Sequence, residues 1–161
     1  MTTGGLNADF RDLLSALLVE HAEFVVVGAY ALALHGVPRF TGDLDVLVNP
    51  TADNAGRVWR ALAAFGAPVG AGRLVEADLA TPDMVYQIGV APRRIDVLTG
   101  ITGVTFREAW DTRETAHVDG LAIPFIGLDA FVRNKQATGR AKDLVDAQRL
   151  APRPPKRGPG S

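Results

Sequence analysis

The chain contains no cysteine, which excludes disulfide bridges, thiolate metal sites and cysteine nucleophiles. It has no excess of charge of either sign, since 17 Lys and Arg residues stand against 18 Asp and Glu residues. A nonspecific nucleic-acid binder carries a strong basic field, so a nucleic-acid partner would need a local basic patch here. Any bound metal ion must be held by oxygen or imidazole ligands.

Apolar runs long enough to span a bilayer are also missing, and the first residues lack the pattern of a secretory signal. We therefore expect a soluble, cytoplasmic protein without a membrane partner. With 47% hydrophobic and 22% charged residues over 161 positions, the composition is that of a globular chain with one domain, over residues 1–150. Residues 151–161 contain four prolines and three basic residues, which predicts a disordered tail.

Hydrophobic periodicity predicts strands and helices that alternate along the chain. Asp119-Gly120 indicates a hairpin turn, and Gly139 indicates the end of a helix. The predicted strands cover residues 24–27, 43–48, 84–90, 94–98, 116–118 and 121–123, and the predicted helices cover 7–21, 29–35, 52–65, 106–110, 128–138 and 142–150. This order favours an α+β fold in which helices flank a mixed central sheet.

Acidic residues give the clearest indication of chemistry. Asp43 and Asp45 lie on one face of a predicted strand, because side chains alternate along a strand. Their mutual repulsion favours a hard divalent cation between them. A third acid, Asp96, lies on a later predicted strand, and if the two strands pair, the three acids meet. Such a cluster can hold two Mg²⁺ ions that bind a triphosphate and activate an attacking hydroxyl, which favours an in-line nucleotidyl transfer.

Other polar groups near the acids are candidates for phosphate contact. Arg39 and Thr41 either hydrogen-bond phosphate or orient a carboxylate. The backbone N–H groups that follow the Gly28-Ala29 turn open a helix and can bind phosphate. His35 contacts either a nucleotide or the carbonyl groups at the end of its own helix.

Three longer motifs contain most of these residues. They are GAYALALHG at 28–36, RFTGDLD at 39–45 with Asp96 on a later strand, and NKQATGRAKDLVD at 134–146. Together they extend over most of the chain up to Leu150 and resemble the small bacterial AbiEii-like nucleotidyltransferases of the DNA polymerase β superfamily. That family usually has Gly-Gly or Gly-Ser at the turn where this chain has Gly28-Ala29.

The resemblance implies a minimal nucleotidyltransferase fold and an enzyme that transfers NMP from an NTP, such as ATP, to an acceptor hydroxyl. It implies Mg²⁺, or Mn²⁺ in its place, as the cofactor. The residues that bind the metal and carry catalysis would be Asp43, Asp45 and Asp96. The residues that contact or support the nucleotide would be Gly28, Ala29, Arg39, Thr41, Lys135, Arg140, Lys142 and Asp143.

The resemblance leaves the acceptor open among an RNA, a protein and a small molecule such as an aminoglycoside. The setting it implies is a toxin–antitoxin or phage-defence system, with a cognate antitoxin or another partner protein, or a homo-oligomer. The alternative is a catalytically silent module of the same fold that binds nucleotide or a partner, which the Gly28-Ala29 turn favours. A third interpretation, a purely structural α/β protein, requires Asp96 to lie more than about 10 Å from both Asp43 and Asp45.

Overall fold

The computed structural model describes residues 6–38, 42–67, 74–90 and 93–150. Two candidate site residues, Arg39 and Thr41, lie outside the described residues, as do the predicted turn at 91–92 and the predicted tail at 151–161. Within the described ranges, six strands form one mixed sheet and six α-helices accompany it. This arrangement confirms the predicted fold class.

Strands and helices alternate along much of the described chain. The strands are β1 (Phe24–Val27), β2 (Leu44–Val48), β3 (Val85–Ile88), β4 (Ile95–Leu98), β5 (Glu114–Val118) and β6 (Leu121–Phe125), and the helices are α1 (Ala8–Val19), α2 (Gly28–Leu34), α3 (Ala52–Phe65), α4 (Phe106–Asp111), α5 (Leu128–Thr138) and α6 (Ala141–Leu150). A 3-10 helix at Glu76–Ala80 is absent from the predicted elements. None of these helices has the length and apolar character that crossing a bilayer requires.

The sheet places β2 in its interior. The strand order is β3-β4-β2-β1-β6-β5, with β2 antiparallel to β1 and parallel to β4. In the β2–β4 pair, Asp45 is the direct partner of Asp96. The two predicted carboxylate strands are therefore neighbours, and this pairing builds the site.

Local sequence accounts for the elements that support this sheet. Asn7 caps α1 because its side chain accepts a hydrogen bond of 2.9 Å from the backbone N–H of Phe10. Thr51 caps α3 in the same way, and Gly66 ends α3 in the left-handed conformation that favours glycine. The four residues of β1 are all buried, as expected for a strand that is covered on both faces.

Candidate active site

Three carboxylates meet where β2 and β4 run side by side. Asp43 precedes β2, Asp45 lies within it, and Asp96 lies opposite Asp45 on β4. Paired strands are about 4.8 Å apart, so Asp96 lies close to Asp45. This proximity contradicts the separation of Asp96 from Asp45 that the purely structural interpretation requires.

The environment of Asp45 disfavours its negative charge. Burial is the largest cause, and the charge of Asp96 and a hydrogen bond to Asp96 come next; together with the charge of Asp43 they raise the pKa of Asp45 to about 7. The Arg94 guanidinium acts in the opposite direction. Near neutral pH the carboxyl group of Asp45 therefore gains a proton readily, and a bound cation would offset the same unfavourable charge.

An arginine that the sequence patterns did not single out lies among the acids. The Arg94 Nε donates to Oδ1 of Asp96 at 2.9 Å, and its Nη2 donates to Oδ2 of Asp96 at 3.3 Å. The same Nη2 lies 3.5 Å from Oδ2 of Asp43, and the backbone N–H of Arg94 donates to Oδ1 of Asp43 at 3.2 Å. The i, i+2 spacing of Arg94 and Asp96 on one strand is the signal that could have predicted this contact.

Gly28 makes room for the carboxylate of Asp45. Its φ is +69°, in the left-handed region, and a Cβ at this position would overlap the carboxyl group of Asp45. Both the backbone conformation and the close approach therefore require glycine here. The turn that the sequence predicts as a phosphate cradle thus also determines where Asp45 lies.

A second charged cluster lies where α5 meets α6. The Lys135 Nζ is 3.1 Å from Oδ1 of Asp143 and 3.3 Å from Oδ2 of Asp146. Arg140 and Thr138 donate to Oδ2 of Asp143 at 2.8 Å and 2.7 Å. The basic segment that the sequence predicts is therefore largely neutralised by its own acids, and the cluster links two helices.

The pKa of Asp143 reflects these contacts. Burial acts to raise the pKa of this carboxyl group, but the hydrogen bonds from Thr138 and Lys135, with the charges of Lys135 and Arg140, outweigh it and lower the pKa below its usual value. The ionised form of Asp143 is thus the form that the fold stabilises.

Lys142 differs from its neighbours because it pairs with no acid in the part of the chain that the structure describes. Its side chain lines a small cleft beside the carboxylates of Asp43 and Asp45. Among the predicted basic residues that the structure describes, Lys142 is therefore the one that no acid of the described residues neutralises.

Two adjoining clefts connect the carboxylates with the α5–α6 cluster. The larger has a volume of about 430 Å³ and the smaller about 200 Å³, and both are lined by Gly28, Asp45 and Lys135. Every candidate site residue within the described ranges lines one or both clefts: Gly28, Ala29, Asp43, Asp45, Asp96, Lys135, Arg140, Lys142 and Asp143. The larger cleft also has an apolar wall, formed by Val85, Leu98, Ile101 and Phe131.

The donor chemistry of the acids fits a hard divalent cation, because carboxylate oxygens are the ligands that Mg²⁺ prefers. The raised pKa of Asp45 points the same way, because a cation bound beside it would offset the charge that burial and the neighbouring acids disfavour. As they stand, however, no three acidic or histidine side chains in the described part of the chain are grouped closely enough to hold a metal ion. The Arg94 guanidinium lies between Asp43 and Asp96, which accounts for this arrangement.

His35 serves the fold and lines neither cleft. Its Nε2 lies 2.8 Å from the backbone carbonyl oxygen of Ile126, in the connection after β6, and 4.0 Å from the carboxylate of Glu114. The His35 side chain therefore bonds a carbonyl group outside its own helix, while its backbone N–H donates to the carbonyl of Ala31 at the end of α2 at 3.0 Å. The contact joins the end of α2 to the connection between β6 and α5.

Known proteins resemble this chain in structure alone. No protein-family model matches it, and no curated protein matches it. A solved Thermotoga maritima protein, described provisionally as a nucleotidyltransferase, has a TM-score of 0.54 at 18% identity and covers 88% of this chain and 87% of its own. ANT(2″)-Ia in complex with adenylyl-2″-tobramycin also has a TM-score of 0.54, at 14% identity, over 88% of this chain and 84% of its own.

These likenesses define the class: the chain has a nucleotidyltransferase fold. At such low identities they carry the fold and nothing finer. The AbiEii-like branch, implied by the sequence motifs, stays a prediction.

Proposed function

We propose that the protein is an Mg²⁺-dependent nucleotidyltransferase that moves NMP from an NTP to an acceptor hydroxyl and releases pyrophosphate. The observation that carries this proposal is the meeting of Asp43, Asp45 and Asp96 beside a cleft in a nucleotidyltransferase fold. In the transfer, the acceptor oxygen forms a bond to the α-phosphorus while the bond to pyrophosphate breaks. The hydroxyl proton passes to a base in the site.

The acids divide this work between them. Asp43, Asp45 and Asp96 would hold Mg²⁺, which when bound supplies positive charge to the phosphate oxygens. Asp45 would lose its proton as the cation binds, because a ligand carboxyl group must be ionised. Asp96, at the wall of the larger cleft, would accept the proton of the acceptor hydroxyl.

The two clefts are suited to different parts of the nucleotide. The smaller cleft brings Lys142 and the turn at Gly28 and Ala29 beside the acids, so we assign it to the triphosphate. The apolar wall of the larger cleft is suited to a nucleobase, and its volume of about 430 Å³ lies in the usual range for small-molecule sites. Arg140 at the rim of that cleft is exposed and would contact the ligand at its edge.

The decisive experiment incubates the protein with each of the four labelled NTPs and three acceptor sets: total RNA, proteins of a lysate, and small hydroxylated molecules that include tobramycin. Label in one set identifies the acceptor class. The double variant Asp43→Ala/Asp45→Ala should transfer no label, whereas Asp53→Asn, an exposed acid on α3, should transfer as the wild type does. Unchanged transfer by the double variant would contradict the assignment of the acids.

The small-molecule set is the first to test. The chain covers 84% of ANT(2″)-Ia, whose structure contains adenylyl-2″-tobramycin, so a chain of about this size can hold a nucleotide and a small acceptor together. The net charge of −1 also gives RNA little general attraction. If RNA or protein is labelled instead, a toxin–antitoxin or phage-defence setting in the cytoplasm, with a cognate antitoxin or a second subunit, becomes the setting to examine.

A catalytically silent module of the same fold is the second candidate. Two observations favour it: the alanine in the Gly28-Ala29 turn, and the pairing of Arg94 with two of the three acids. Calorimetric titration with ATP and Mg²⁺, followed by a pyrophosphate-release assay, separates the candidates. Saturable binding without pyrophosphate release, across all NTPs and acceptor sets, would establish the module.

A further inference from the structure

Arg94 supplies positive charge to a site that a metal ion would also fill. Its guanidinium contacts Asp96 at 2.9 Å and Asp43 at 3.5 Å, and so lies between the two carboxylates. No other basic side chain pairs with these acids among the residues that the structure describes. The Arg94 side chain is 34% exposed, so it has room to turn towards solvent.

A guanidinium and a divalent cation compete for these oxygens, because both are attracted to the same carboxylates and repel each other at close range. Mg²⁺ requires its oxygen ligands at about 2.0–2.1 Å in a near-octahedral arrangement, whereas the carboxylate of Asp96 has both oxygens engaged by Arg94. Arginine also keeps its proton at any relevant pH, so the conflict is not removed by deprotonation. Binding of one cation therefore weakens the binding of the other.

We propose that Arg94 is an internal counter-cation that competes with divalent metal for the carboxylates of Asp43 and Asp96. In the metal-free protein Arg94 neutralises these acids and stabilises their close approach. Metal binding displaces the guanidinium, so part of the binding free energy of the metal is used to break the Arg94 contacts. The inference rests on the proposed function in one respect, that the acids bind a divalent cation.

The test measures Mn²⁺ binding directly, by electron paramagnetic resonance titration, without any assay of transfer. Arg94→Gln should bind Mn²⁺ at least about tenfold more tightly than the wild type, because the competing charge is gone. Arg93→Gln is the matched control: Arg93 is adjacent and exposed, and its replacement removes the same charge without touching the acids. Its Mn²⁺ affinity should stay within about twofold of the wild type.

A second measurement uses the wild-type chain and does not depend on the folding of a variant. The Nε–H group of Arg94 donates to Asp96, so its proton should exchange slowly with water in the metal-free protein. Addition of Mg²⁺ should accelerate that exchange, followed by ¹⁵N NMR, while the Nε–H of Arg93 stays unchanged. Bound Mg²⁺ with no change at Arg94 would overturn the inference.

The outcomes separate this inference from the proposed function. Equal or weaker Mn²⁺ binding by Arg94→Gln, with clear binding by the wild type, overturns the role of Arg94 and leaves the metal assignment in place. Absence of Mn²⁺ binding in the wild type, in Arg94→Gln and in Asp45→Asn alike overturns both. Tighter binding in Arg94→Gln that is lost again in Arg94→Gln/Asp45→Asn supports both.

Discussion

At the residue scale, Asp45 combines a proposed role in catalysis with an environment that disfavours its charge. Burial, followed by the effects of Asp96, raises its pKa to about 7. In Asp45→Asn the nucleotide transfer should therefore fall by at least about 100-fold, while the metal-free protein should unfold at the same or a higher temperature, because the variant buries no charge. Labelled-nucleotide transfer and calorimetry in EDTA measure the two effects.

Asp53→Asn is the control for this prediction. Asp53 is an exposed acid that pairs with Arg57 at 3.3 Å on the surface of α3. The substitution should change the free energy of unfolding by less than about 0.5 kcal/mol and should leave nucleotide transfer unchanged. A large drop in the unfolding temperature of Asp45→Asn would show that its carboxylate stabilises the fold, contrary to our reasoning.

Gly28 offers a test of how closely the turn approaches the acids. Gly28→Ala adds a Cβ in the left-handed region that also overlaps the carboxyl group of Asp45, whereas Gly36→Ala adds one at φ +90° with open space around it. Gly36→Ala should cost about 1 kcal/mol of unfolding free energy. Gly28→Ala should cost about 1–3 kcal/mol more and should weaken Mn²⁺ binding. Urea unfolding measures the stability cost of each substitution, and equal costs would show that Asp45 can move aside freely.

At the element scale, helices with caps and the hairpin turn at Asp119-Gly120 were predictable, whereas strand ends and the short 3-10 helix were not. The bounds of α3 and α5 agree with the prediction because Thr51, Gly66 and Gly139 mark their ends in the sequence. The strand β5 begins two residues before its predicted bound, since hairpin pairing continues through exposed polar residues that break the apolar pattern. The strand β6 ends two residues after its predicted bound, since pairing continues through the buried Pro124 and Phe125. The 3-10 helix at Glu76–Ala80 is too short to show a period.

The site was predictable in its parts and not in its contacts. Alternation along a strand places Asp43 and Asp45 on one face, and this reasoning needs only local sequence. The pairing of Asp45 with Asp96 depends on the order and direction of β2 and β4, which no local pattern specifies. The contacts of Arg94 with Asp43 depend in turn on that register, so they could be found only from the structure, whereas its contact with Asp96 is local.

At the junction of α5 and α6, replacement of one lysine should affect stability and replacement of another should affect ligand binding. Lys135→Met leaves Asp143 and Asp146 buried without their lysine, and should lower the free energy of unfolding by about 3 kcal/mol. Lys142→Met should change stability by less than about 0.5 kcal/mol and should weaken the binding of Mg²⁺-ATP by about tenfold. Urea unfolding and calorimetric titration of both variants measure this contrast. Equal stability losses would mean that Lys142 also supports the fold.

The same junction predicts a pH dependence through Asp143. Its pKa is lowered in the folded protein, so it contributes stability above its unfolded pKa of about 3.9 and loses that contribution as the pH falls through the folded value. Asp143→Asn should therefore be less stable than the wild type at pH 7, and the difference should shrink as the pH falls below about 4. Urea unfolding of both proteins between pH 2 and 7 measures it. A difference that does not vary with pH would show that the lost contacts are not ionic.

At the scale of the whole molecule, the net charge of −1 conceals two regions of opposite charge that meet at the clefts. Arg94 contacts two of the three acids, so negative charge remains beside the cleft. Asp143 and Asp146 contact Lys135, whereas Lys142 pairs with no acid among the residues that the structure describes. A ligand that carries both a divalent cation and phosphates complements this arrangement, because its cation is attracted to the acids and its phosphates to Lys142.

The extent of the folded unit can be tested by two shortened chains. Leu150 is buried at the end of α6, so a chain that stops at residue 150 keeps the whole of this helix, and its free energy of unfolding should equal that of the full chain within about 0.5 kcal/mol. A chain that stops at residue 140 loses Asp143 and Asp146, the partners of Lys135, together with the buried Ala147. Its free energy of unfolding should fall by at least about 5 kcal/mol, because ion pairs are broken and apolar surface is exposed. It should therefore also lose its affinity for Mg²⁺-ATP. Urea unfolding and calorimetric titration of the three chains measure these effects. A loss of stability in the chain of 150 residues would show that residues 151–161 belong to the folded unit after all.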